Sequence, residues 1–120
     1  MASKKEIGAK GEILAQNFLL DKGYEILARN WRYSRAEIDI IAKQNNILIF
    51  IEVKTRSYDY FGQPEDAVTA GKEALIMDAA QRYMEEINYD WQIRFDIISI
   101  ILDKSLNVKV LKHFEDAFFY

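Results

Sequence analysis

The stretch that most constrains the fold runs from Ile47 to Thr55 and reads Ile-Leu-Ile-Phe-Ile-Glu-Val-Lys-Thr. Its first five residues are apolar and β-branched residues dominate it, which is typical of a strand buried on both faces of a sheet. Glu52 and Lys54 lie near its end, and their spacing of two residues places both side chains on one face. Burying an ionised group is costly unless the group is paired or binds a metal. The strand end is therefore either a structural ion pair or a functional site.

The preceding segment predicts a strand that pairs with this one as a hairpin. Asn tolerates the positive φ of a tight turn, so Asn45–Asn46 is the expected two-residue loop. The resulting register places Asp39 opposite Glu52 and Glu37 opposite Lys54, with all four side chains on one face. Directly opposite residues have Cβ atoms roughly 4.5–5.5 Å apart. Two carboxylates at that separation repel unless a proton or a cation lies between them.

These residues lead to a resemblance. Asp39 followed on the next strand by Glu52-Val53-Lys54 resembles the D…(D/E)xK signature of the restriction-endonuclease-like PD-(D/E)xK nuclease superfamily. A wider ordered set of motifs resembles the YraN-like family of small bacterial proteins and covers nearly the whole chain. That set consists of Gly8-Ala9-Lys10-Gly11-Glu12, Arg29-Asn30-Trp31-Arg32, Glu37-Ile38-Asp39, the segment from Phe50 to Arg56, Phe61-Gly62, Lys72 and Arg94-Phe95-Asp96.

The resemblance implies a metal-dependent endonuclease, a hydrolase that cuts DNA phosphodiesters. Asp39 and Glu52 would bind Mg²⁺ or Mn²⁺ together with a neighbouring backbone carbonyl and water, a ligand set that suits cations preferring oxygen. Lys54 would position the attacking water or stabilise charge on the phosphate. Glu12 is a further catalytic candidate, and a solvated helix surface is its alternative. The superfamily includes Holliday-junction resolvases of similar size, which implies branched DNA as a candidate substrate and a homodimer as a candidate assembly.

A second reading belongs to a different class of protein. In it the chain is a catalytically inactive nuclease-fold module that binds DNA or assists an assembly. Asp39, Glu52 and Lys54 would then form a buried polar network with a structural role. Binding of Mn²⁺ between the two acids would favour the enzyme over this alternative.

Several other polar residues are candidates for supporting roles. Glu37 and Gln16 are expected beside the metal-binding acids, although Gln16 also fits a surface amide. Trp31 could stack on a base or pack in the core. Arginine presents paired donors that suit phosphate, and a lysine in the first turn of a helix opposes the helix dipole, which hints at an anionic partner. The candidates for DNA contact are Arg29, Arg32, Arg35, Arg56 and Lys72; solvated surface positions are the alternative for each.

The remaining periodicity predicts the order α-β-β-β-α-β-β within one nuclease-like domain over residues 1–120. Helices are expected over residues 3–22 and 70–88, and further strands over 24–32, 91–102 and 107–112. A helix between the third and fourth strands favours a parallel crossover. The expected class is therefore α/β, with a restriction-endonuclease-like core and a mixed central sheet flanked by helices. Arg94, Asp96 and His113 are expected to serve structure rather than catalysis.

Composition sets limits on the function. Half of the residues are apolar, which suffices for one core, and the absence of cysteine excludes disulfides, thiolate metal sites and a cysteine nucleophile. A net charge of −3 counts against a protein that coats nucleic acid through bulk charge, but an acidic metal site remains compatible with it. Neither a signal peptide nor a membrane span is visible, so the cytoplasm is the expected location and no membrane partner is expected.

Overall fold

The computed structural model describes residues 2–59 and 70–118. It confirms the expected element order. The elements are α1 (Lys4–Asp21), β1 (Glu25–Tyr33), β2 (Ala36–Gln44), β3 (Ile47–Ser57), α2 (Ala70–Glu86), β4 (Ile93–Leu102) and β5 (Val108–Phe114).

The five strands form one mixed sheet in the order β1-β2-β3-β4-β5. The pair β3–β4 is parallel and the other three pairs are antiparallel. The predicted parallel relation of the strands on either side of α2 is therefore confirmed. The strand with the Glu-x-Lys end is the central strand of the sheet.

Two apolar cores cover the two faces of the sheet. On one face, called the α2 face, Leu48 and Phe50 of β3 pack with α2 residues such as Ile76. On the other, called the α1 face, Ile49 and Ile51 pack with α1 residues around Leu19. The central strand is thus buried on both sides, as its apolar run predicts.

The helix ends agree with the sequence signals where the structure describes them. Ser3 and Glu6 form a reciprocal capping box, with N–O distances of 3.1 and 3.2 Å. Gly23 follows α1 with a φ of +87°, the left-handed conformation expected of a helix stop. The second helix is shorter than the expected range of 70–88, since it ends at Glu86 and 42% of Ile87 is exposed. Thr69, which precedes α2, lies outside the described residues.

The two glycines in α1 differ in their surroundings. A Cβ on Gly11 would lie 1.8 Å from Thr55 Oγ1, so α1 crosses β3 at a contact that only glycine permits. A Cβ on Gly8 would meet no atom of the described residues within 4 Å. Close approach to the sheet therefore explains the glycine at position 11 but not the glycine at position 8.

The β2–β3 hairpin has the predicted turn. Asn45 and Asn46 have φ values of 51° and 64°, as a two-residue turn with two left-handed residues requires. The paired positions run from Gln44–Ile47 to Ile40–Ile51. The predicted register is confirmed over this part of the hairpin.

Beyond Ile40 the hairpin departs from the prediction. Ile38 and Ile41 both lie in the α2-face core although they are three positions apart, an odd number, so the alternation of β2 shifts between them. In β1, Asn30 lies between the pairs Arg29–Ile40 and Trp31–Ile38 and has a φ of 50°. The expectation that Glu37 shares one face with Lys54 in an uninterrupted register is wrong, because Ala36 and Ile38 occupy the α2 face instead.

The aromatic residues close the α2 face. Trp31 packs edge-on against Tyr83, with ring centroids 5.4 Å apart, so its place is in the core rather than on the surface. Phe118 stacks on Phe95 at 5.0 Å and attaches the C-terminal segment, as predicted. Phe119 and the loop motif Phe61-Gly62 lie outside the described residues. Within residues 2–59 and 70–118, neither helix is long and apolar enough to cross a membrane.

Candidate metal and nucleic-acid site

Asp39 lies where the ladder between β2 and β3 ends. Its Oδ2 accepts a hydrogen bond of 2.8 Å from the backbone N–H of Val53, so a side chain joins the two strands where regular pairing has stopped. Burial, and then repulsion from Glu52, raise the pKa of Asp39 to about 8 against the opposing hydrogen bond from Val53. The predicted proximity and repulsion of Asp39 and Glu52 are therefore present, although the backbone geometry differs from a regular pair.

Glu52 is buried among lysine side chains. Its Oε1 lies 3.2 Å from Lys54 Nζ and accepts a hydrogen bond of 2.5 Å from Lys72 Nζ in the first turn of α2. Burial and the neighbouring Lys72 lower the pKa of Lys54, and Glu52 opposes this shift. Burial alone would lower the pKa of Lys72 as well, but its bond to Glu52 holds that pKa above the usual value. Glu52 thus joins the central strand to α2.

Glu12 approaches the same site from α1. Burial raises its pKa, the Asn30 side chain opposes this by hydrogen bonding, and repulsion from Glu37 and Glu52 adds to the increase. The charge of Glu12 also raises the pKa of Asp39. The acids predicted from the sequence therefore form one electrostatic cluster, reached from α1, β2 and β3.

Glu37 lies at the edge of this cluster. It forms an ion pair with Arg32, at 2.6 Å between Oε2 and Nη2, and it also contributes to the raised pKa of Asp39. Arg29 lowers the pKa of Glu12, which places it near the cluster too. Arg35 is exposed in the β1–β2 turn, and it makes no hydrogen bond or ion pair with the acidic cluster among the described residues. Their roles in DNA contact stay predictions.

Two buried polar atoms lack a hydrogen-bond partner in the described part of the chain: Gln16 Oε1 and Ser99 Oγ. Gln16 lies one helical turn beyond Glu12, so the predicted supporting residue is not a fully solvated amide. Ser99 is the β4 neighbour of Lys54 in the parallel register and is 2% exposed. An unpaired buried polar atom is uncommon in a native protein and points to a missing partner such as water or substrate.

The oxygens of Asp39 and Glu52 fit a hard cation in part. Oδ1 of Asp39 and Oε2 of Glu52 accept no hydrogen bond from the described residues, so each acid retains an oxygen for a ligand. Burial and mutual repulsion are the conditions that a cation relieves. Within residues 2–59 and 70–118, no three Asp, Glu or His side chains converge as potential ligands. A metal held here would therefore complete its coordination with backbone carbonyls and water.

The sequence did not identify three groups that contribute to this site: the Asn30 side chain, the Val53 backbone N–H and the Ser99 side chain. Asn30 belongs to a quoted motif, but its left-handed φ and its bond to Glu12 depend on the fold. The Val53 amide carries no side-chain signal. Ser99 could have been found from the parallel register, which sets it beside Lys54 once β3 and β4 are aligned.

Comparison with known proteins agrees with this arrangement of motifs. Residues 11–100 match the model of the family described as Uncharacterised protein family UPF0102. A UPF0102 protein of Christiangramia forsetii is 49% identical over 120 residues, which cover 100% of this chain and 99% of that protein. Relatives in Flavobacterium psychrophilum and Thermodesulfovibrio yellowstonii are 45% and 43% identical and cover 100% and 95% of this chain, and 99% and 96% of their own lengths. The chain therefore belongs to the UPF0102 family, the YraN-like proteins.

Proposed function

We propose that this protein is a metal-dependent endonuclease that hydrolyses DNA phosphodiesters, and that it belongs to the PD-(D/E)xK superfamily. The observation that carries the proposal is the half-buried Asp39 next to the buried Glu52 and Lys54 at the end of the central strand. The two acids repel, as the raised pKa of Asp39 indicates, and each acid keeps one oxygen without a hydrogen bond from the described residues. A purely structural pair of acids would gain stability by losing one charge, so the arrangement favours a cation ligand.

Each residue has a definite role in this proposal. Asp39 and Glu52 would hold Mg²⁺ or Mn²⁺, and the cation would supply polarisation of the phosphate and a lowered pKa for a bound water. The Val53 N–H fixes the orientation of the Asp39 carboxylate. Lys54 stabilises negative charge on the phosphate, and because its pKa is lowered it also can accept a proton from water. Glu12 and Glu37 adjust the charge around the two ligands.

Lys72 has a second role in the proposal. In the free protein it occupies Glu52 Oε1 together with Lys54. If Asp39 and Glu52 held a cation, Lys54 and Lys72 would be available to donate to the phosphate of DNA. The predicted contact between Lys72 and DNA is therefore linked to metal binding. The proposal also includes a cytoplasmic location and a homodimer.

The test is a cleavage assay with linear, single-stranded and four-way-junction DNA in Mg²⁺ or Mn²⁺. Glu52→Gln and Lys54→Met are each expected to lower turnover by orders of magnitude, because a metal ligand or a charge-stabilising group is lost. DNA affinity of Lys54→Met should fall only modestly, since one phosphate contact among several is removed. Lys109→Met, an exposed lysine on β5, is the matched control and should cleave as the wild type does.

The result that contradicts the proposal is equally clear. If purified Lys54→Met cleaves DNA at the wild-type rate, the activity belongs to a contaminating nuclease or to another site. A preference for the four-way junction over linear duplex would assign the substrate to branched DNA.

One observation favours the second candidate, a nuclease-fold module that binds DNA without turnover. Lys54 and Lys72 already neutralise Glu52, so the cluster is stable as a buried ion-pair network. Mn²⁺ binding distinguishes the two. An isothermal titration that detects Mn²⁺ in the wild type and loses it in Asp39→Asn supports the enzyme, and a wild type that binds no Mn²⁺ supports the module.

A further inference from the structure

A groove lies beside the proposed catalytic site, on the α1 face of the sheet. It has a volume of about 560 Å³ and runs between the first half of α1 and the end of β3. Val53 and Lys54 line it at one end, so it is continuous with the residues that hold Asp39 and Glu52. A ligand in the groove would therefore extend directly from the site of the proposed chemistry.

Gly8 is the feature of this groove that its own fold does not explain. A glycine inside a helix lowers helix stability, and Gly11 has a structural reason because Thr55 fills the space next to it. Gly8 lines the groove, and a Cβ there would meet no atom of the described residues within 4 Å. Glycine within an element often marks a position where a ligand approaches the backbone closely. The free space above Gly8 is thus suited to a group that belongs to another molecule.

The charges around the groove favour an anion. Lys4 and Arg56 line it, together with Lys54, whose ammonium is paired with Glu52; Glu12 is the one acid among the lining residues that the structure describes. The groove is therefore locally basic in a chain whose net charge is −3. Hydroxyls of Thr55 and Ser57 add neutral polar groups at the same wall.

We propose that this groove binds the phosphodiester backbone of a DNA strand next to the phosphate that is cut, and that Gly8 lets the strand lie against the backbone of α1. The proposal rests on the proposed function for the identity of the polymer. One strand would lie in the groove between Lys4 and Arg56, and its next phosphate would lie at the end of β3, near the proposed catalytic residues. The absence of a side chain at Gly8 then serves DNA binding and not the stability of α1.

The decisive variant is Gly8→Ala, because the added methyl has room in the free protein and improves helix propensity. Its melting temperature should equal or exceed that of the wild type. Its affinity for a fluorescein-labelled short DNA duplex, measured by anisotropy with Ca²⁺ in place of Mg²⁺, should fall about tenfold because the methyl occupies the space of the strand. Asn17→Ala makes a similar gain in propensity on an exposed position of α1 and should bind as the wild type does.

Charge variants test the same groove independently. Lys4→Gln and Arg56→Gln should each reduce the slope of log affinity against log salt by about one, as expected for one phosphate contact. Thymidine monophosphate should compete only weakly, because a single phosphate does not span the groove; strong competition by it would replace the strand with a mononucleotide and overturn the proposal.

The outcomes separate this inference from the proposed cleavage. If Gly8→Ala binds the duplex as tightly as the wild type, or the wild type does not bind it, the groove does not hold DNA. If Gly8→Ala binds weakly while the wild type cleaves no DNA, the groove stands and the cleavage proposal falls. If Gly8→Ala binds normally while Glu52→Gln abolishes cleavage, the catalytic proposal stands and the groove falls.

Discussion

Asp39 is half-buried and Asp96 fully buried in the same sheet, and their surroundings shift their pKa values in opposite directions. Burial and the nearby Glu52 raise the pKa of Asp39. Burial alone would raise the pKa of Asp96 too, but hydrogen bonds from His113, Arg94 and the Asp116 N–H hold it below the usual value. The same residue type is therefore a source of repulsion at one position and of stability at the other. Its neighbours, rather than its depth, decide which.

Asp39→Asn should stabilise the metal-free protein at pH 8. The folded-state pKa of Asp39 is about 8 and the ordinary value is 3.8, so ionisation in the folded state costs stability as pH rises from about 4 to about 8. Asparagine keeps an acceptor for the Val53 N–H and removes the charge. Thermal melts in EDTA should show the variant gaining over the wild type across this pH range, by several degrees if about 1 kcal/mol is recovered.

Millimolar Mn²⁺ should reverse the order of the two proteins. A ligand that binds only the folded state stabilises it by about 2.7 kcal/mol at one hundred times its dissociation constant. The wild type should gain this stabilisation when Mn²⁺ binds. Asp39→Asn should lack most of it, because the variant has lost one metal ligand. An Asp39→Asn protein that is clearly less stable than the wild type in EDTA at pH 8 would make Asp39 a structural partner and favour the module without turnover.

At the scale of elements, the contact between α1 and β3 rests on Gly11 and Thr55. Gly11→Ala would place a Cβ 1.8 Å from Thr55 Oγ1, so the helix must move away from the strand. We expect a loss of about 1–3 kcal/mol in the free energy of unfolding by urea, despite the better helix propensity of alanine. Gly8→Ala is the matched control, because it makes the same change three residues earlier in open space.

A second variant locates the cause of that loss. Gly11→Ala combined with Thr55→Gly should lose less than the sum of the two single changes, because the clashing side chain is absent. Equal stability of Gly11→Ala and Gly8→Ala would show that α1 and β3 are not held at the described distance.

The elements also show how far the sequence predicts this protein. The Asn45–Asn46 turn, the burial of β3 on both faces and the element order follow from local signals, because turn conformation and periodicity are encoded within a few residues. The shift in β2 could not be predicted, since apolar residues stand at both Ile40 and Ile41 and mask the change of face. The contact between Lys72 and Glu52 depends on where α2 docks, which no local pattern specifies.

Across the whole molecule, Asp96 joins parts of the chain that are far apart in sequence. Its carboxylate accepts two hydrogen bonds from Arg94, at 2.8 and 2.9 Å, one of 2.8 Å from His113 on β5, and one of 3.0 Å from the N–H of Asp116. Arg94 also donates to the hydroxyl of Tyr24, just before β1. Because a carboxylate only accepts hydrogen bonds, His113 donates from Nε2. The structural role expected for Arg94, Asp96 and His113 is therefore to join β4 to β5, to the start of β1 and to the C-terminal segment.

Asp96→Asn should destabilise the protein at pH 7 by on the order of 3 kcal/mol, since Arg94 would lose its buried countercharge. Because the pKa of Asp96 is lowered in the folded state, its ionised carboxylate stabilises the protein at pH values above the usual carboxyl pKa. This stabilisation is lost as the pH falls through the lowered pKa. The variant should therefore show a shallower loss of stability in acid than the wild type. Urea denaturation from pH 7 down to pH 3 measures both effects, with the exposed Asp78→Asn as control. A steep acid loss in Asp96→Asn would assign acid sensitivity to other carboxyls.

The parallel pairing of β3 with β4 has a consequence for the order in which the chain folds. The β2–β3 hairpin closes through a two-residue turn, whereas Leu48 meets Ile93 only after the entire segment containing α2 has been crossed. Local pairs close with less entropic cost than distant ones, so the hairpin is the earlier structure and the central parallel pair sets the rate. The acids Asp39 and Glu52 are thus brought together before α2 delivers Lys72. The nascent hairpin already contains Lys54 beside Glu52, and the docking of α2 adds Lys72 as the second cation on that carboxylate.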